Sequence, residues 1–182
     1  MPGVVVVAQP ATATAPARNP PNGIVSQKDL RFVPDILVVR TGTAIEFPNA
    51  DPVRHQVYSF SSAKKFQLSL YSGSAHAPVV FDKPGLVTLG CNIHDSMIGY
   101  VYVTDSPWFG RTDRAGEVRL HELPAGSYTV HLWHPLIRDG ADQLMQTLVI
   151  GSSAPPAMEI RLRKSIATSS HGNGASKTWA DY

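Results

Sequence analysis

The segment GCNIHDSMIGY, residues 90–100, holds three side chains that can bind a soft metal ion. Cys91, His94 and Met97 follow the spacing C-x2-H-x2-M, and Cys91 is the only cysteine among the 182 residues. Thiolate, imidazole and thioether groups suit copper far better than magnesium, calcium or manganese. The segment lies between two apolar runs typical of strands, so a strand–loop–strand could turn all three side chains toward one point.

Two histidines, one cysteine and a weakly held methionine are the ligand set of a blue-copper electron-transfer site, so the segment is one histidine short. His55, in FPNADPVRHQVYSF, begins a strand-like run directly after a polar loop and is the best candidate. The weaker candidates are His76 in a loop, the isolated His121, His131 and His134 in a later strand set, and His171 near the C-terminus.

Each of these residues also has an ordinary structural interpretation. A lone cysteine is often a small buried apolar residue, and methionine is a common core filler. Asn49 lies in PNADP, a stretch rich in turn-forming residues. A thiol hydrolase would need a cysteine, a histidine base and an orienting acid, and that class would leave Met97 and His55 unexplained.

Short β-branched and aromatic runs separated by Pro, Gly, Asn and Asp predict an all-β protein. In TAIEFPN, Ile45 and Phe47 alternate with Ala44 and Glu46, the pattern of a half-buried strand. The runs of the first set are PDILVVRTG, TAIEFPN, HQVYSF, KFQLSLYSG, PVVFDKPG, LVTLGC and MIGYVYVTD; those of the second are GEVRLHEL, GSYTVHLWHP, LMQTLVIG and AMEIRLRK.

These two sets predict two β units with a boundary near residues 106–110. We expect a copper-binding domain over residues 23–105, a small second β-sandwich over 106–164 that packs on the first, and a polar tail over 165–182. Residues 1–22 contain GVVVVA and ATATA, which are typical of a clipped export signal leading into a Pro/Ala linker, or of a plain disordered tail.

Composition excludes several classes of function. The 16 basic residues nearly balance the 14 acidic ones, for a net charge of +2, and no basic stripe indicates nucleic-acid binding. No apolar run reaches the roughly 18 residues that a membrane span needs. One cysteine allows no internal disulfide framework.

The order NADPVRH, then GCNIHDSM resembles the copper-binding core of the cupredoxins, the plastocyanin, pseudoazurin and amicyanin group. The resemblance covers roughly residues 23–104 and is closest to bacterial plastocyanin-like proteins described as methylamine utilization proteins. It implies a Greek-key β-sandwich. The later TDRAGEVRLHELPAGSYTVHLWHP resembles a transthyretin-like, carboxypeptidase-regulatory-like β-sandwich.

The cupredoxin resemblance implies one type 1 copper with Cys91, His55 and His94 as equatorial ligands and Met97 as the weak axial ligand. It implies that Asn49 braces the thiolate loop from outside the ligand set. Relatives often carry Pro where this chain has Ile93, which makes the reduction potential the least predictable property.

The sequence therefore predicts an exported, periplasmic single-electron carrier of bacterial type rather than an enzyme. His94 would be the electron exit, with an apolar docking patch formed by Pro52, Val53 and Ile93, together with Met97. The expected partner is a redox protein such as a cytochrome, dehydrogenase or oxidase. The alternatives are a copper delivery or storage protein and a structural subunit of a larger assembly.

Overall fold

The computed structural model describes residues 1–12, 21–74, 76–137, 144–151 and 158–161, and the fourteen elements with described bounds are all β-strands. No helix within these ranges is long and apolar enough to cross a membrane. The strands of the first unit are β2 Gly23–Ile24, β3 Ser26–Lys28, β4 Arg31–Val33, β5 Ile36–Arg40, β6 Thr43–Glu46, β7 His55–Ser61, β8 Lys64–Tyr71, β9 Val79–Phe81, β10 Gly85–Gly90 and β11 Ile98–Thr104. The strands of the second are β1 Val5–Pro10, β12 Phe109–Arg111, β13 Gly126–Trp133 and β14 Met145–Ile150.

The first unit is built from a five-stranded sheet in the order β5-β11-β10-β7-β8 and a three-stranded sheet in the order β2-β6-β9. Alternate residues of both sheets form one apolar core, which includes Ile45, Phe47, Val57, Phe81 and Leu89. Every run of the first set predicted from the sequence contains one of these strands, and the all-β prediction is confirmed.

The N-terminal segment differs from the prediction. Strand β1 lies between β12 and β13 in a four-stranded sheet of order β12-β1-β13-β14. Val5 pairs with Trp133 on one side and with Arg111 on the other, and it is fully buried. The expectation of a linker over residues 1–22 is therefore corrected for Val5–Pro10, because their apolar side chains supply the core of this sheet.

The second unit has one described sheet rather than the two of a sandwich, so the carboxypeptidase-regulatory-like prediction stays a prediction. GSYTVHLWHP and LMQTLVIG contain β13 and β14 as predicted, but GEVRLHEL forms no strand. Its Val118, Leu120 and Leu123 instead cover the sheet face that carries Val4, Val6 and Tyr128. AMEIRLRK has no strand over 158–161, and residues 162–182, with the predicted tail and His171, lie outside the described residues.

The other face of that sheet packs on the first unit, as expected. Val5 and Val7 meet Ile36 of β5, and the Trp133 ring contacts Tyr100 and Tyr102 of β11 at centroid distances of 5.3 and 5.9 Å. The two units thus share a continuous apolar interface.

Val5→Asp tests the position of β1. A buried unpaired carboxylate is among the most destabilising changes, so we expect the free energy of unfolding to fall by about 3 kcal/mol or more. Ala11→Asp, at an exposed position just after β1, is the matched control and should be nearly neutral. Urea unfolding measures the stability of both variants. If neither substitution lowers the free energy of unfolding, residues 1–12 are a tail and the position of β1 is wrong.

Candidate metal centre

The loop between β10 and β11 positions three of the four predicted ligands. Gly90 pairs with Ile98 in the β10–β11 ladder, so residues 91–97 close the hairpin. The Met97 amide donates a 2.9 Å hydrogen bond to the His94 carbonyl, which tightens the loop. Cys91 and Met97 are buried at 3% and 1% exposure, whereas His94 is half-buried.

Strand β7 brings the fourth residue, His55, to this loop. β7 is the neighbour of β10 through the pair Gly90 and Tyr58, and His55 is its first residue. His55, Val57 and Ser59 alternate inward along β7, so the imidazole enters the buried side of the sheet and is completely covered. The strand order therefore joins two segments that are 36 positions apart.

The donor atoms of Cys91, His55 and His94 converge within 4.8 Å of one another. The Cys91 Sγ lies 3.8 Å from the Nδ1 atoms of both His55 and His94. Bonds of about 2.3 Å to sulfur and about 2.1 Å to nitrogen, as at zinc sites, separate the two donors by about 3.8 Å in a trigonal arrangement. The two sulfur–nitrogen contacts therefore have the separation expected for ligands of one metal ion.

The chemistry of this donor set fits copper. One thiolate and two imidazoles, with a thioether in the same loop, are soft or borderline donors, and no carboxylate belongs to the cluster. Met97 is buried in the same apolar core as Cys91, and its role as axial ligand stays a prediction. His76 is not part of the cluster, and its ring packs edge-on against Tyr71 at 4.7 Å. The described His121, His131 and His134 also lie outside it.

Asp51 is a site residue that the sequence reasoning missed. Its Oδ2 lies 2.7 Å from the His55 Nε2, and the side chain is only 8% exposed. Burial alone would raise the pKa of the Asp51 carboxyl, but hydrogen bonds from the Leu30 amide, His55 and the Asp29 amide outweigh it and the pKa is lowered. A carboxylate only accepts hydrogen bonds, so the His55 Nε2 is the donor of this pair, and Nδ1 is the ring nitrogen that faces Cys91.

Asn49 braces the loop that leads to His55. Its Nδ2 donates to the carbonyls of Val53 and Tyr71 at 2.8 and 3.0 Å, and its Oδ1 accepts from the Asp51 amide at 2.9 Å. The described contacts connect Asn49 to the histidine loop, and a brace on the thiolate loop stays a prediction.

A second polar network that sequence reasoning missed lies behind His55. Tyr71, the strand partner of His55, donates its hydroxyl to the Phe47 carbonyl and accepts from the amide of the buried Gln27. Burial raises the pKa of the Tyr71 hydroxyl, so it stays protonated and can donate.

The predicted docking residues are at the surface. Ile93 is 51% exposed and Val53 is 45% exposed, and Pro52 is exposed as well. Met97 is buried and so does not contribute to this apolar surface. His94 is the more exposed of the two clustered histidines.

The chain Cys91–His55–Asp51 also has the order of a thiol-hydrolase triad. Two observations oppose that interpretation. A nucleophile must reach its substrate, and both Cys91 and His55 are buried. A triad also leaves the second imidazole, His94, without a role, although its Nδ1 lies as close to the sulfur as that of His55.

Comparison with known proteins finds partial overlaps with solved cupredoxin structures. The copper-containing nitrite reductase of Thermus scotoductus SA-01 is similar over 53% of this chain and 25% of its own, with 26% identity and a TM-score of 0.44. An amicyanin mutant in its reduced state overlaps 50% of this chain and 97% of its own, with 19% identity and a TM-score of 0.41.

A purple cupredoxin of Nitrosopumilus maritimus overlaps 44% of this chain and 96% of its own, with 22% identity and a TM-score of 0.39. This chain thus spans only a quarter of the nitrite reductase. No protein-family model and no curated protein matches the chain. With TM-scores this low, the interpretation of the site depends on its own donor atoms.

Asn49→Ala tests the brace. It leaves two carbonyls and one amide without their partner, and we expect a loss of about 2–3 kcal/mol in the free energy of unfolding. Asn92→Ala, which makes the same deletion at an exposed position of the thiolate loop, should change stability by less than about 0.5 kcal/mol. Equal effects in chemical unfolding would contradict a specific role for Asn49.

Proposed function

We propose that this chain binds one type 1 copper ion through Cys91, His55, His94 and Met97 and acts as a single-electron carrier. The observation that carries the proposal is the convergence of both Nδ1 atoms on the one thiol at 3.8 Å. Copper bound there supplies one-electron chemistry, by cycling between Cu(II) and Cu(I). The chain's own contribution is to hold the donors in place and to exclude water.

Burial of the donors favours electron transfer over copper delivery. His55, Cys91 and Met97 are all at most 3% exposed, and only His94 reaches the surface. Delivery requires an acceptor protein to replace the ligands one after another, so it favours exposed donors. Buried donors held by strands on both sides would move little between the two oxidation states, which suits rapid exchange of an electron.

The surface around His94 supports a small docking site for a redox partner. His94 is the most exposed residue of the donor cluster, and the exposed Ile93, Val53 and Pro52 belong to the two loops that lead to the ligands. Small apolar contact areas are typical of transient redox encounters. A cytochrome, a dehydrogenase or an oxidase would each fit this description.

Location outside the cytoplasm is part of the proposal and is supported by the resemblance to exported copper proteins. The sequence argument from GVVVVA no longer contributes, because Val4–Ala8 lie buried in the second sheet. A role of that sheet in a larger redox assembly is a further proposal.

Copper loading tests the function directly. Titration of the purified protein with Cu(II) should give an intense visible thiolate-to-copper charge-transfer band that saturates at one equivalent. Cys91→Ser removes the thiolate and should abolish the band. His76→Gln alters a nearby histidine outside the donor cluster and should leave the band unchanged.

Absence of the band in the unaltered chain would rule out a type 1 site. Rapid transfer of copper from the reduced protein to a Cu(I) chelator, measured by the absorbance of the chelator complex, would favour delivery or storage instead.

Met97→Leu separates an axial ligand from a core filler. The substitution keeps nearly the same volume, so it should cost less than about 1.5 kcal/mol of stability and retain the charge-transfer band. Loss of a donor destabilises the more highly charged ion, so we expect the reduction potential to rise. Met145→Leu, at an exposed position of β14, is the control. An unchanged potential in voltammetry of Met97→Leu would mean that the thioether only packs.

A further inference from the structure

Asp51 connects the donor cluster to a hairpin that lies outside it. Its Oδ1 accepts a 2.7 Å hydrogen bond from the Asp29 amide, and its Oδ2 accepts one of 3.0 Å from the Leu30 amide. The same Oδ2 lies 2.7 Å from the His55 Nε2. One carboxylate therefore joins the β3–β4 turn to a predicted metal ligand.

The turn has an unusual backbone that aims its amides at this carboxylate. Asp29 and Leu30 have φ angles of 53° and 56°, in the left-handed region that residues other than glycine rarely adopt. Leu30 is also 46% exposed, so burial of its side chain does not explain the conformation. A two-residue hairpin loop of this type requires positive φ at both positions, and the two hydrogen bonds to Asp51 help to hold residues other than glycine in that conformation.

Both side-chain oxygens of Asp51 have to accept hydrogen bonds in this arrangement. All three partners of Asp51 donate, and each carboxylate oxygen has at least one of them. An amide in the same place would direct its NH2 group at the Asp29 amide in one orientation and at Leu30 and His55 in the other. Asparagine therefore fits the space but not the hydrogen bonds.

We propose that Asp51 is a positioning residue: anchored by the β3–β4 turn, its carboxylate fixes His55 with the proton on Nε2 and tunes the copper site. The effect of Asp51 on the copper site rests on the proposed copper function, whereas its effect on the orientation of His55 does not. A ligating histidine whose second nitrogen donates to a carboxylate is held in orientation and becomes a stronger donor. A negative charge next to His55 also stabilises the more highly charged oxidised ion.

The first experiment needs neither copper nor a variant. Nitrogen NMR of the metal-free protein identifies which ring nitrogen of His55 carries the proton, and we expect Nε2. The amides of Asp29 and Leu30 should exchange slowly with solvent, although they lie in an exposed turn. A proton on Nδ1 of His55, or rapid exchange of both amides, would overturn the inference whatever the copper experiments show.

The second experiment compares Asp51→Asn with Asp95→Asn. Both remove one negative charge next to a clustered histidine, but Asp95 is exposed and follows His94 in the loop. We expect Asp51→Asn to lower Cu(II) affinity about 10- to 100-fold, to raise the reduction potential and to release the Asp29 and Leu30 amides to exchange. Asp95→Asn should change the potential much less and leave those amides protected.

The outcomes separate the two proposals. If the unaltered chain shows no charge-transfer band, the copper function fails, while the His55 proton and the amide exchange still decide the role of Asp51. If the band is present and the two variants have equal potentials and affinities, the copper function holds and the positioning role of Asp51 is wrong.

Discussion

One requirement governs the first unit: a single buried thiol must meet two imidazoles from segments far apart in sequence. Neighbouring strands satisfy it, because β7 supplies His55 and the β10–β11 hairpin supplies Cys91 and His94. Gly90 helps to meet this requirement, because it allows β10 and β7 to lie close together. A Cβ at that position would lie 2.7 Å from Cζ of Tyr58, so any larger residue just before the cysteine would have to displace the Tyr58 ring.

Strand order brings His55 to the thiolate loop, and hydrogen bonds then fix the loop that precedes His55. The loop before His55 is irregular, and two of its side chains tie it in place: Asn49 donates to the Val53 and Tyr71 carbonyls, and Asp51 accepts from the β3–β4 turn. Buried polar groups with all partners present specify one conformation, whereas a missing partner costs stability. The same contacts that fold this loop therefore also orient the imidazole.

Much of this arrangement was predictable from sequence, because it follows local patterns. The C-x2-H-x2-M spacing identified the loop, and the alternation of Ile45 and Phe47 identified the buried face of β6, at 0% and 6% exposure. Asp51 was not predictable in this way, since an aspartate in PNADP has the composition of an ordinary turn. Its function depends on the amides of Asp29 and Leu30, which are 22 and 21 positions away, and such contacts leave no mark in local spacing.

The N-terminal strand β1 also could not be predicted from its local pattern, and its position affects which surfaces are open for docking. An unbroken run such as GVVVVA is typical of an export leader, but also of a strand buried on both faces. Here Val4 and Val6 face the loop-covered side of the second sheet, while Val5 and Val7 face β5 and β11 of the first unit. Because that packing covers the face formed by β5 and β11, a partner of the proposed electron carrier could not dock on that face. The loop that carries His94 lies outside this interface, so the second sheet leaves the proposed docking surface free.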